Sequence, residues 1–250
     1  MSSSPIHPNA QIGSDTSVGF FAVIEQDVVI GTGCHIGHHA VILSGARLGD
    51  GVTIGDHSVV GRQPMRAANS AVTTDKAHDG PFIGARVRIG TGSVIYAGCT
   101  LEEDVFVADL ATVREQVSIG EGTIIGRGAA VENQCSIGKR CKIETNAYIT
   151  AYSTLGDHVF VAPGVLTSND NFIGRTQERF DHFKGVQAES NSRLGVGSVI
   201  LPGVRIGEEA VIAAGALQTQ DASPETVYKG LPSRQAGAVP SEQLNKNATK

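Results

Sequence analysis

The sequence contains no tryptophan, and aromatic residues make up only 5% of its 250 residues. A conventional core built on large side chains is therefore not expected. The 31 glycines instead indicate a chain with many tight backbone turns, because glycine adopts conformations that other residues avoid. Composition alone thus favours a fold assembled from small, repeated units.

Long apolar runs and blocks of basic residues are also missing. No stretch reaches the roughly 18 apolar residues that a membrane-spanning helix needs, so no membrane insertion is expected. No cluster of Lys and Arg occurs and the net charge is -5, so a nucleic-acid partner is not expected. Residues 1–9 lack the basic and apolar regions of a secretory signal, which predicts a cytoplasmic protein.

An aliphatic residue recurs at every sixth position in three uninterrupted runs. This even period fits short strands with alternating faces, whereas the apolar stripe of a helix recurs near every 3.6 residues. Stacked coils would then bury a continuous ladder of Ile and Val. The repeated positions are Ile6, Ile12, Val18, Ile24, Ile30, Ile36, Ile42, Leu48, Ile54 and Val60, then Ile83 and every sixth residue to Val161, and finally Leu194, Ile200, Ile206 and Ile212.

The four cysteines belong to the same pattern. Each occupies the small position that follows an aliphatic anchor by four residues: Cys34, Cys99, Cys135 and Cys141. No pair has the spacing of a zinc site. We therefore expect buried small side chains and neither a metal site nor a disulfide.

Segments such as Ile-Gly-Glu-Gly-Thr-Ile at 119–124 and Ile-Gly-Asp-His-Ser-Val at 54–59 resemble those of hexapeptide-repeat acyltransferases. The resemblance implies an all-β fold, a left-handed parallel β-helix in which three hexads form one triangular coil of 18 residues. It also implies a homotrimer. We therefore predict a β-helix acyltransferase domain over residues 1–215, with loops at about 61–82 and 162–193, and a C-terminal cap and tail over 216–250.

Polar side chains replace glycine at one corner of every third hexad. These residues are Tyr96, Arg114, Glu132, Thr150 and Ser168, each 18 positions after the last. We expect them to stack on one edge beneath the larger loop. A substrate groove is the favoured interpretation, and an ordinary solvated corner is the alternative.

The segment Leu166–Asp170 resembles the Thr-Asn-Asp segment of nucleotide-linked amino-sugar N-acyltransferases, although Ser168 interrupts it. The stretches Gly174-Arg175-Thr176, Phe183-Lys184-Gly185 and Pro202-Gly203-Val204 extend the resemblance. It implies that acetyl-CoA donates an acetyl group to the amine of a UDP- or dTDP-linked amino sugar. The site would lie between adjacent subunits, and no metal is expected.

Acyl transfer to an amine needs a positioned nucleophile and a group that takes its proton. Asp170, Asn169 and Glu132 are the candidate catalytic residues. A histidine base is the alternative, for which His38, His39, His158 and His182 are available. Arg forks suit the diphosphate of a nucleotide sugar. The candidate substrate-binding residues are Arg114, Glu115, Asn133, Tyr152, Arg175 and His182.

Residues 206–234 resemble the ending of acyl-CoA-dependent members of the family. The resemblance implies that backbone groups of Ala214 and Gly215 bind the pantetheine arm, and that Lys229 and Arg234 contact the phosphates of CoA. The same segment would also close the last coil, as solenoids require. An acyl-carrier protein is the alternative donor.

Two other functions stay open. One is an acyltransferase that acts on a hydroxyl, an amino acid or another amine. The other is a metal-dependent protein similar to γ-carbonic anhydrases, which would need several ligand histidines at subunit contacts. The histidines that cluster in the sequence are His35, His38, His39 and His57.

Overall fold

The computed structural model describes residues 5–74, 76–239, 241 and 244. Nearly every strand has two residues, and one 3-10 helix, η1 Glu178–Asp181, lies in a loop. Before the first loop the strands are β1 Gln11–Ile12, β2 Ser17–Val18, β3 Val23–Ile24, β4 Val29–Ile30, β5 His35–Ile36, β6 Val41–Ile42, β7 Arg47–Leu48, β8 Thr53–Ile54 and β9 Val59–Arg62.

Fifteen strands lie between the two loops. They are β10 Phe82–Ile83, β11 Arg88–Ile89, β12 Val94–Tyr96, β13 Thr100–Leu101, β14 Phe106–Val107, β15 Thr112–Val113, β16 Ser118–Ile119, β17 Ile124–Ile125, β18 Ala130–Val131, β19 Ser136–Ile137, β20 Lys142–Ile143, β21 Tyr148–Ile149, β22 Thr154–Leu155, β23 Phe160–Val161 and β24 Leu166–Thr167. The remaining strands are β25 Gln187–Ala188, β26 Arg193–Leu194, β27 Val199–Ile200, β28 Arg205–Ile206, β29 Val211–Ile212, β30 Leu217–Gln218, β31 Thr226–Gly230 and β32 Ser233–Ala238.

Every third strand pairs in parallel, which builds three sheets around one axis. Sheet 1 has ten strands and begins with β1 and β4; sheet 2 has twelve and begins with β2 and β5; sheet 3 has ten and begins with β3 and β6. Strands in the central coils pair 18 residues apart, as Thr112 does with Ala130. The predicted parallel β-helix is thus confirmed, and its three-sided 18-residue coil is consistent with the left-handed class.

The interior consists of the second residue of each strand and the small residue before the strand. Ile125, Ile143 and Val131 are fully buried, and so are Cys135 and Cys141. Burial raises the pKa of the Cys135 thiol to about 12 and that of Cys141 to about 11. All four cysteines are free and buried, so they act as small core side chains, as expected.

Glycine is required where one turn lies directly on the next. A Cβ on Gly37 would stand 2.6 Å from Oδ1 of Asp56, one coil away. That carboxylate oxygen accepts a hydrogen bond of 2.6 Å from the backbone N–H of His38. The turn therefore combines a glycine that admits the neighbouring coil with a carboxylate that holds it.

The second loop is shorter than the expected 162–193. Strand β24 extends the regular coil to Thr167, and β25 resumes it at Gln187, so the second insertion comprises residues 168–186. Thr167 and Ala188 are buried at positions that hold Ile, Leu or Val in the strands before them, which hid these two strands in the sequence. The first insertion comprises residues 63–81, between β9 and β10.

The C-terminal end closes the solenoid. Strand β31 pairs with β29 in parallel and with β32 in an antiparallel hairpin. The N–H of Val239 donates to the Glu225 carbonyl at 2.8 Å, and Val239 and Leu244 are buried. Residues 240, 242, 243 and 245–250 of the predicted cap and tail lie outside the described residues. In the described part of the chain, no helix has the length and apolar character to cross a bilayer.

The outer face of sheet 3 differs from the other two faces because it is almost entirely apolar. Tyr148 and Leu166 are 36% and 49% exposed, so the described residues leave this face uncovered. Sheets 1 and 2 carry Arg, Ser, Thr, His and Lys among their outward residues. The outward residues of sheet 3, apart from Thr112, are Val23, Val41, Val59, Val94, Ala130, Tyr148, Leu166, Val199 and Leu217.

Candidate functional site

The corner that follows sheet 3 carries the predicted column of polar residues, and we call it the polar edge. Strands β12, β15, β18, β21 and β24 pair in order, so Tyr96, Arg114, Glu132, Thr150 and Ser168 stack one per coil. Adjacent strands of a sheet lie about 4.8 Å apart. Glu132 is therefore about 10 Å from Ser168 along the axis.

Arg114 is the centre of a half-buried charged cluster on this edge. Its Nε and Nη2 donate to the two carboxylate oxygens of Glu115 at 2.8 and 3.1 Å. Its guanidinium also lies 4.8 Å from the ring centroid of Tyr96. Burial makes the largest single contribution and lowers the pKa of Arg114, but the hydrogen bond with Glu115 and the charges of Glu115 and Glu132 together outweigh it, so the net shift is upward. These contacts lie within the chain, whereas the sequence suggested a contact with a substrate diphosphate.

Glu132 faces the same guanidinium from one coil above. Arg114 Nη1 lies 3.5 Å from Glu132 Oε2, and both side chains are about one-fifth exposed. Burial raises the pKa of Glu132; Arg114 opposes this shift, Glu115 adds to it, and the net shift is upward. With one cation and two carboxylates, the cluster has a formal charge of -1. Glu132 is thus a carboxylate that takes up a proton more readily than an exposed glutamate.

Tyr148 lies beside this edge on the outer face of sheet 3, although the sequence gave no reason to select it. Burial raises the pKa of its hydroxyl, and the Glu132 carboxylate adds to the shift. Burial likewise raises the pKa of Tyr152, with a further contribution from Glu115. Two phenolic groups therefore lie within electrostatic range of the carboxylates of the cluster.

The loop that covers the Arg114 cluster is the first insertion, which corrects the expectation that the larger loop lies over it. Thr73 Oγ1 accepts a hydrogen bond of 3.3 Å from Arg114 Nη2. The carbonyl of Val72 accepts one of 3.4 Å from Nδ2 of Asn133. Asn133 is 1% exposed, and its Oδ1 is buried without a hydrogen-bond partner among the described residues.

The second insertion leaves the polar edge at Ser168 and is organised by Asp170. The two carboxylate oxygens of Asp170 accept from the backbone N–H groups of Phe172 at 2.8 Å and Gly174 at 2.9 Å. The hydrogen bond from Gly174 makes the largest contribution to a lowered pKa of Asp170. Arg179 completes the arrangement with Nη1 3.4 Å from Oδ2. Asp170 is therefore an ionised loop anchor and a weak proton acceptor.

The other predicted residues of this loop are more exposed. The carbonyl of Asn169 accepts from the Lys184 N–H at 3.2 Å, which ties the two ends of the loop together. His182 stacks on Phe172 with ring centroids 5.9 Å apart and lies 3.6 Å from Glu178. Arg175 is exposed. The structure therefore places Asn169, Asp170, Arg175 and His182 in the second insertion. It places Arg114, Glu115, Glu132 and Asn133 in earlier coils of the same edge, under the first insertion.

The predicted cofactor residues lie together at a second corner, the open edge, which follows sheet 2. Ala214 and Gly215 are exposed there, and a Cβ on Gly215 would meet no atom within 4 Å. The N–H of Ala213 donates to the Tyr228 carbonyl at 2.8 Å, which places the β31–β32 hairpin directly above. In this hairpin the exposed Lys229 is paired with Arg234. The structure thus combines an unobstructed backbone corner with two cations.

The polar edge and the open edge border the same sheet. Sheet 3 separates them: Gly197 on the open edge is followed by β27, and Leu201 on the polar edge comes directly after it. Neither edge therefore faces the other within one chain. The apolar outer face of sheet 3 lies between the two corners.

Histidines form a separate group in the first coils. The rings of His39 and His57 stack with centroids 4.8 Å apart, and Phe21 stacks on His39 at 5.0 Å. His38 stacks on Phe20 at 5.5 Å. Among residues 5–74, 76–239, 241 and 244, no three His, Cys, Asp or Glu side chains are grouped so that they could hold a metal ion.

Comparison with known protein families identifies the repeat. The family described as bacterial transferase hexapeptide (six repeats) matches residues 9–43, 27–62 and 116–151. The hexapeptide repeat of succinyl-transferase matches residues 186–217. The matched segments lie in regular coils on both sides of the first insertion and directly after the second.

Individual relatives include enzymes named for acetyl transfer. The chain is 35% identical over 106 residues to a galactoside O-acetyltransferase of Lactococcus lactis, covering 38% of this chain and 51% of that protein. It is 26% identical over 173 residues to the bifunctional protein GlmU of Anaplasma marginale, covering 66% and 36%. The chain spans about half the length, or less, of the curated relatives it matches.

Among solved structures, an Arabidopsis UDP-N-acetylglucosamine acyltransferase is similar along most of the chain. The match covers 97% of this chain and 74% of the other, with 19% sequence identity and a TM-score of 0.46.

Proposed function

We propose that this chain, a hexapeptide-repeat protein, transfers an acetyl group from acetyl-CoA to the amino group of a nucleotide-linked amino sugar. The proposal is supported by curated relatives named as acetyltransferases, among them a galactoside O-acetyltransferase and a 2,3,4,5-tetrahydropyridine-2,6-dicarboxylate N-acetyltransferase. The residues that fit the reaction best lie on the polar edge and the open edge.

The observation that carries the proposal is the half-buried Glu132 beside Arg114. An amine must lose a proton to become a nucleophile, and a base is most effective when its pKa lies near the working pH. Burial raises the pKa of Glu132 towards that range. Asp170 is less suited to this role because its pKa is lowered, so it would orient the acceptor or keep the loop in shape.

The reaction proceeds by direct attack. An ammonium group on the acceptor transfers one proton to the Glu132 carboxylate and becomes a neutral amine. Its nitrogen then forms a bond to the thioester carbonyl carbon and gives up a second proton, the C–S bond breaks, and CoA takes up that proton and leaves as the thiol. Asn169, Arg175 and His182, from the second insertion, would bind the rest of the acceptor together with Tyr152 of the polar edge.

The donor would occupy the open edge. The backbone at Ala214 and Gly215 is exposed, which lets an extended pantetheine arm lie against its N–H and C=O groups. Lys229 and Arg234 are exposed on the hairpin above and would meet the phosphates of CoA. Acetyl-CoA thus supplies the acyl group, and the chain supplies alignment and charge.

A homotrimer would complete the site. Sheet 3 separates the two edges in one chain, so donor and acceptor need an edge from a second copy to meet. The outer face of sheet 3 is apolar over nine of its ten outward positions, which is typical of a surface that is covered in an assembly. A copy packed on this face lies next to both edges.

An O-acetyltransferase is the second candidate, because two galactoside O-acetyltransferases are 35% and 33% identical over 106 and 84 residues. The deciding experiment measures thiol release from acetyl-CoA against UDP- and dTDP-linked amino sugars, with the matching hydroxyl sugars and simple galactosides in parallel. Release with the amino sugars alone supports the proposal. Release with hydroxyl sugars alone replaces it with O-acetylation, and release with neither refutes both.

A further inference from the structure

The first insertion is fixed firmly at its base and weakly at its tip. At the base, Gln63 and His78 exchange two hydrogen bonds, Nε2 to the His78 carbonyl at 2.6 Å and the His78 N–H to Oε1 at 3.0 Å. The tip, residues 70–73, contacts the polar edge through two longer bonds of 3.3 and 3.4 Å. Long hydrogen bonds of this kind are weaker than those near 2.9 Å, so the tip is the part that can lift.

Beneath this tip lies an acceptor oxygen that receives no hydrogen bond from the part of the chain that the structure describes. Asn133 uses its Nδ2 to reach the Val72 carbonyl, which leaves Oδ1 as the free end of the amide. The residue is 1% exposed, and leaving a buried oxygen without a donor is energetically unfavourable. Unsatisfied buried polar atoms are rare in native proteins, and a bound donor is one way to satisfy such an atom.

The charge beneath the tip specifies what kind of donor would fit. Arg114 is bound in two places by Glu115, so the second carboxylate, that of Glu132, is only partly compensated at 3.5 Å. The surroundings therefore offer a carboxylate and a free amide oxygen with an excess of one negative charge. A primary ammonium group is small, positively charged and carries three donors, so it matches both acceptors.

We propose that residues 70–73 cover a subsite for a primary ammonium group, which donates to Oδ1 of Asn133 and to the Glu132 carboxylate when the tip lifts. This inference rests on the proposed function, because it places the ammonium of the acceptor where Glu132 removes a proton. It adds the free oxygen of Asn133 as a positioning group and the first insertion as the cover.

The test uses D-glucosamine as the probe and N-acetyl-D-glucosamine, which lacks the ammonium, as its neutral counterpart. Binding is measured by calorimetry without acetyl-CoA, and hydrogen exchange of the tip is followed in the same samples. The wild-type chain should bind glucosamine with a change in exchange at residues 70–73, and should not bind the neutral sugar. Equal binding of both sugars, or binding of neither, would overturn the proposal.

Variants at Asn133 separate this role from a structural one. Asn133→Leu should weaken glucosamine binding about tenfold, as expected for one hydrogen bond to a charged group. Asn133→Asp loses the bond to Val72 but keeps an oxygen in place, so it should retain binding while the tip exchanges faster. Gln134→Leu, at an exposed position of the same turn, is the control. Equal losses in Asn133→Leu and Gln134→Leu, or a loss in Asn133→Asp equal to that in Asn133→Leu, would contradict the subsite.

These experiments distinguish a failure of the ammonium subsite from a failure of the proposed acyl transfer. Binding of glucosamine beneath the tip without thiol release from any amine would support the subsite and refute acyl transfer. Thiol release that is unchanged in a folded Asn133→Leu variant would leave acyl transfer standing and refute the subsite.

Discussion

Arg114 and Glu132 lie one coil apart on the same edge, with Nη1 of the arginine 3.5 Å from Oε2 of the glutamate. The arginine lowers the pKa of this glutamate while burial and Glu115 raise it, and the upward shift prevails. A base works only in its deprotonated form, so acetyl transfer should increase as pH rises through the raised pKa of Glu132.

Replacing Glu132 tests this base directly. Glu132→Gln keeps the shape of the side chain but cannot accept the proton, so kcat should fall by about 10²–10⁴-fold. Replacing Arg114 with Met removes the contribution that lowers the pKa, so the acid limb of the pH–rate profile should move to higher pH. The measurement is kcat against pH for the three proteins. An acid limb that stays in place in a folded Arg114→Met variant would contradict the assignment.

The conformation of the second insertion should depend on Asp170. Asp170→Ala removes the acceptor for the N–H groups of Phe172 and Gly174 and the partner of Arg179. Trypsin should then cleave faster after Arg175 and Arg179, which lie in this loop. Limited proteolysis followed by mass spectrometry measures the change, and Asp181→Ala, an exposed residue of the same loop, is the control. Cleavage at the wild-type rate would show that Asp170 does not hold the loop.

Two cations of the C-terminal hairpin should set the affinity for the donor. Lys229→Ala and Arg234→Ala should each raise KM for acetyl-CoA roughly tenfold, the effect of losing one charged hydrogen bond, with little change in kcat. Acetyl-pantetheine lacks the nucleotide phosphates, so its KM should be the same in wild type and variants. A rise in KM for both donors would show that Lys229 and Arg234 do not act through the nucleotide phosphates of CoA.

The apolar face of sheet 3 should hold the copies together. Leu166→Asp introduces a charge on this face, and burying it against a second copy is costly, so the assembly should dissociate. Thr154→Asp makes the matched change on the outer face of sheet 1, where Thr154 is exposed, and should leave the assembly intact. Light scattering gives the mass of each protein. A trimer that persists in Leu166→Asp, or a monomeric wild type, would refute this interface.

Neighbouring residues of one strand test which side chains stabilise the coils. In β17, Ile125 is fully buried and Ile124 points outward. Ile125→Ala should cost about 2–5 kcal/mol because it leaves a cavity in the core. Ile124→Ala should cost about 1 kcal/mol or less, as is usual on an outer sheet face. Thermal and urea unfolding midpoints compare the two, and equal losses would contradict the inward and outward assignment.

The coils could be predicted from the sequence because each needs an aliphatic residue at a fixed position. Prediction failed where the interior accepts another residue: buried Thr167 and Ala188 continue the coil without an aliphatic anchor. Thr167 is tolerated because its hydroxyl donates to the Tyr148 carbonyl and accepts from the Thr150 N–H. Local hydrogen bonding of this kind leaves no periodic signal.

The candidate site was predictable only in part. Arg114, Glu132 and Ser168 could be assigned to one column because they follow a spacing of 18 residues and the strands before them pair in register. The cover could not be predicted, since residues 70–73 have no repeat and their position depends on contacts with Arg114 and Asn133. Tyr148 was missed because it occupies an outward position that holds Ala130 and Leu166 in the two neighbouring coils.

The in-register pairing of the strands in sheet 3 fixes the axial distance between the two insertions. Strands β12, β15, β18 and β21 separate β9, where the first insertion leaves, from β24, where the second leaves. At about 4.8 Å per strand, the two points of departure are roughly 24 Å apart. Adding or deleting 18 residues would change this distance by one coil, about 4.8 Å, and keep both insertions on the same corner. A change of six or twelve residues would instead rotate one insertion to a different corner, so the span between them can vary only in whole steps.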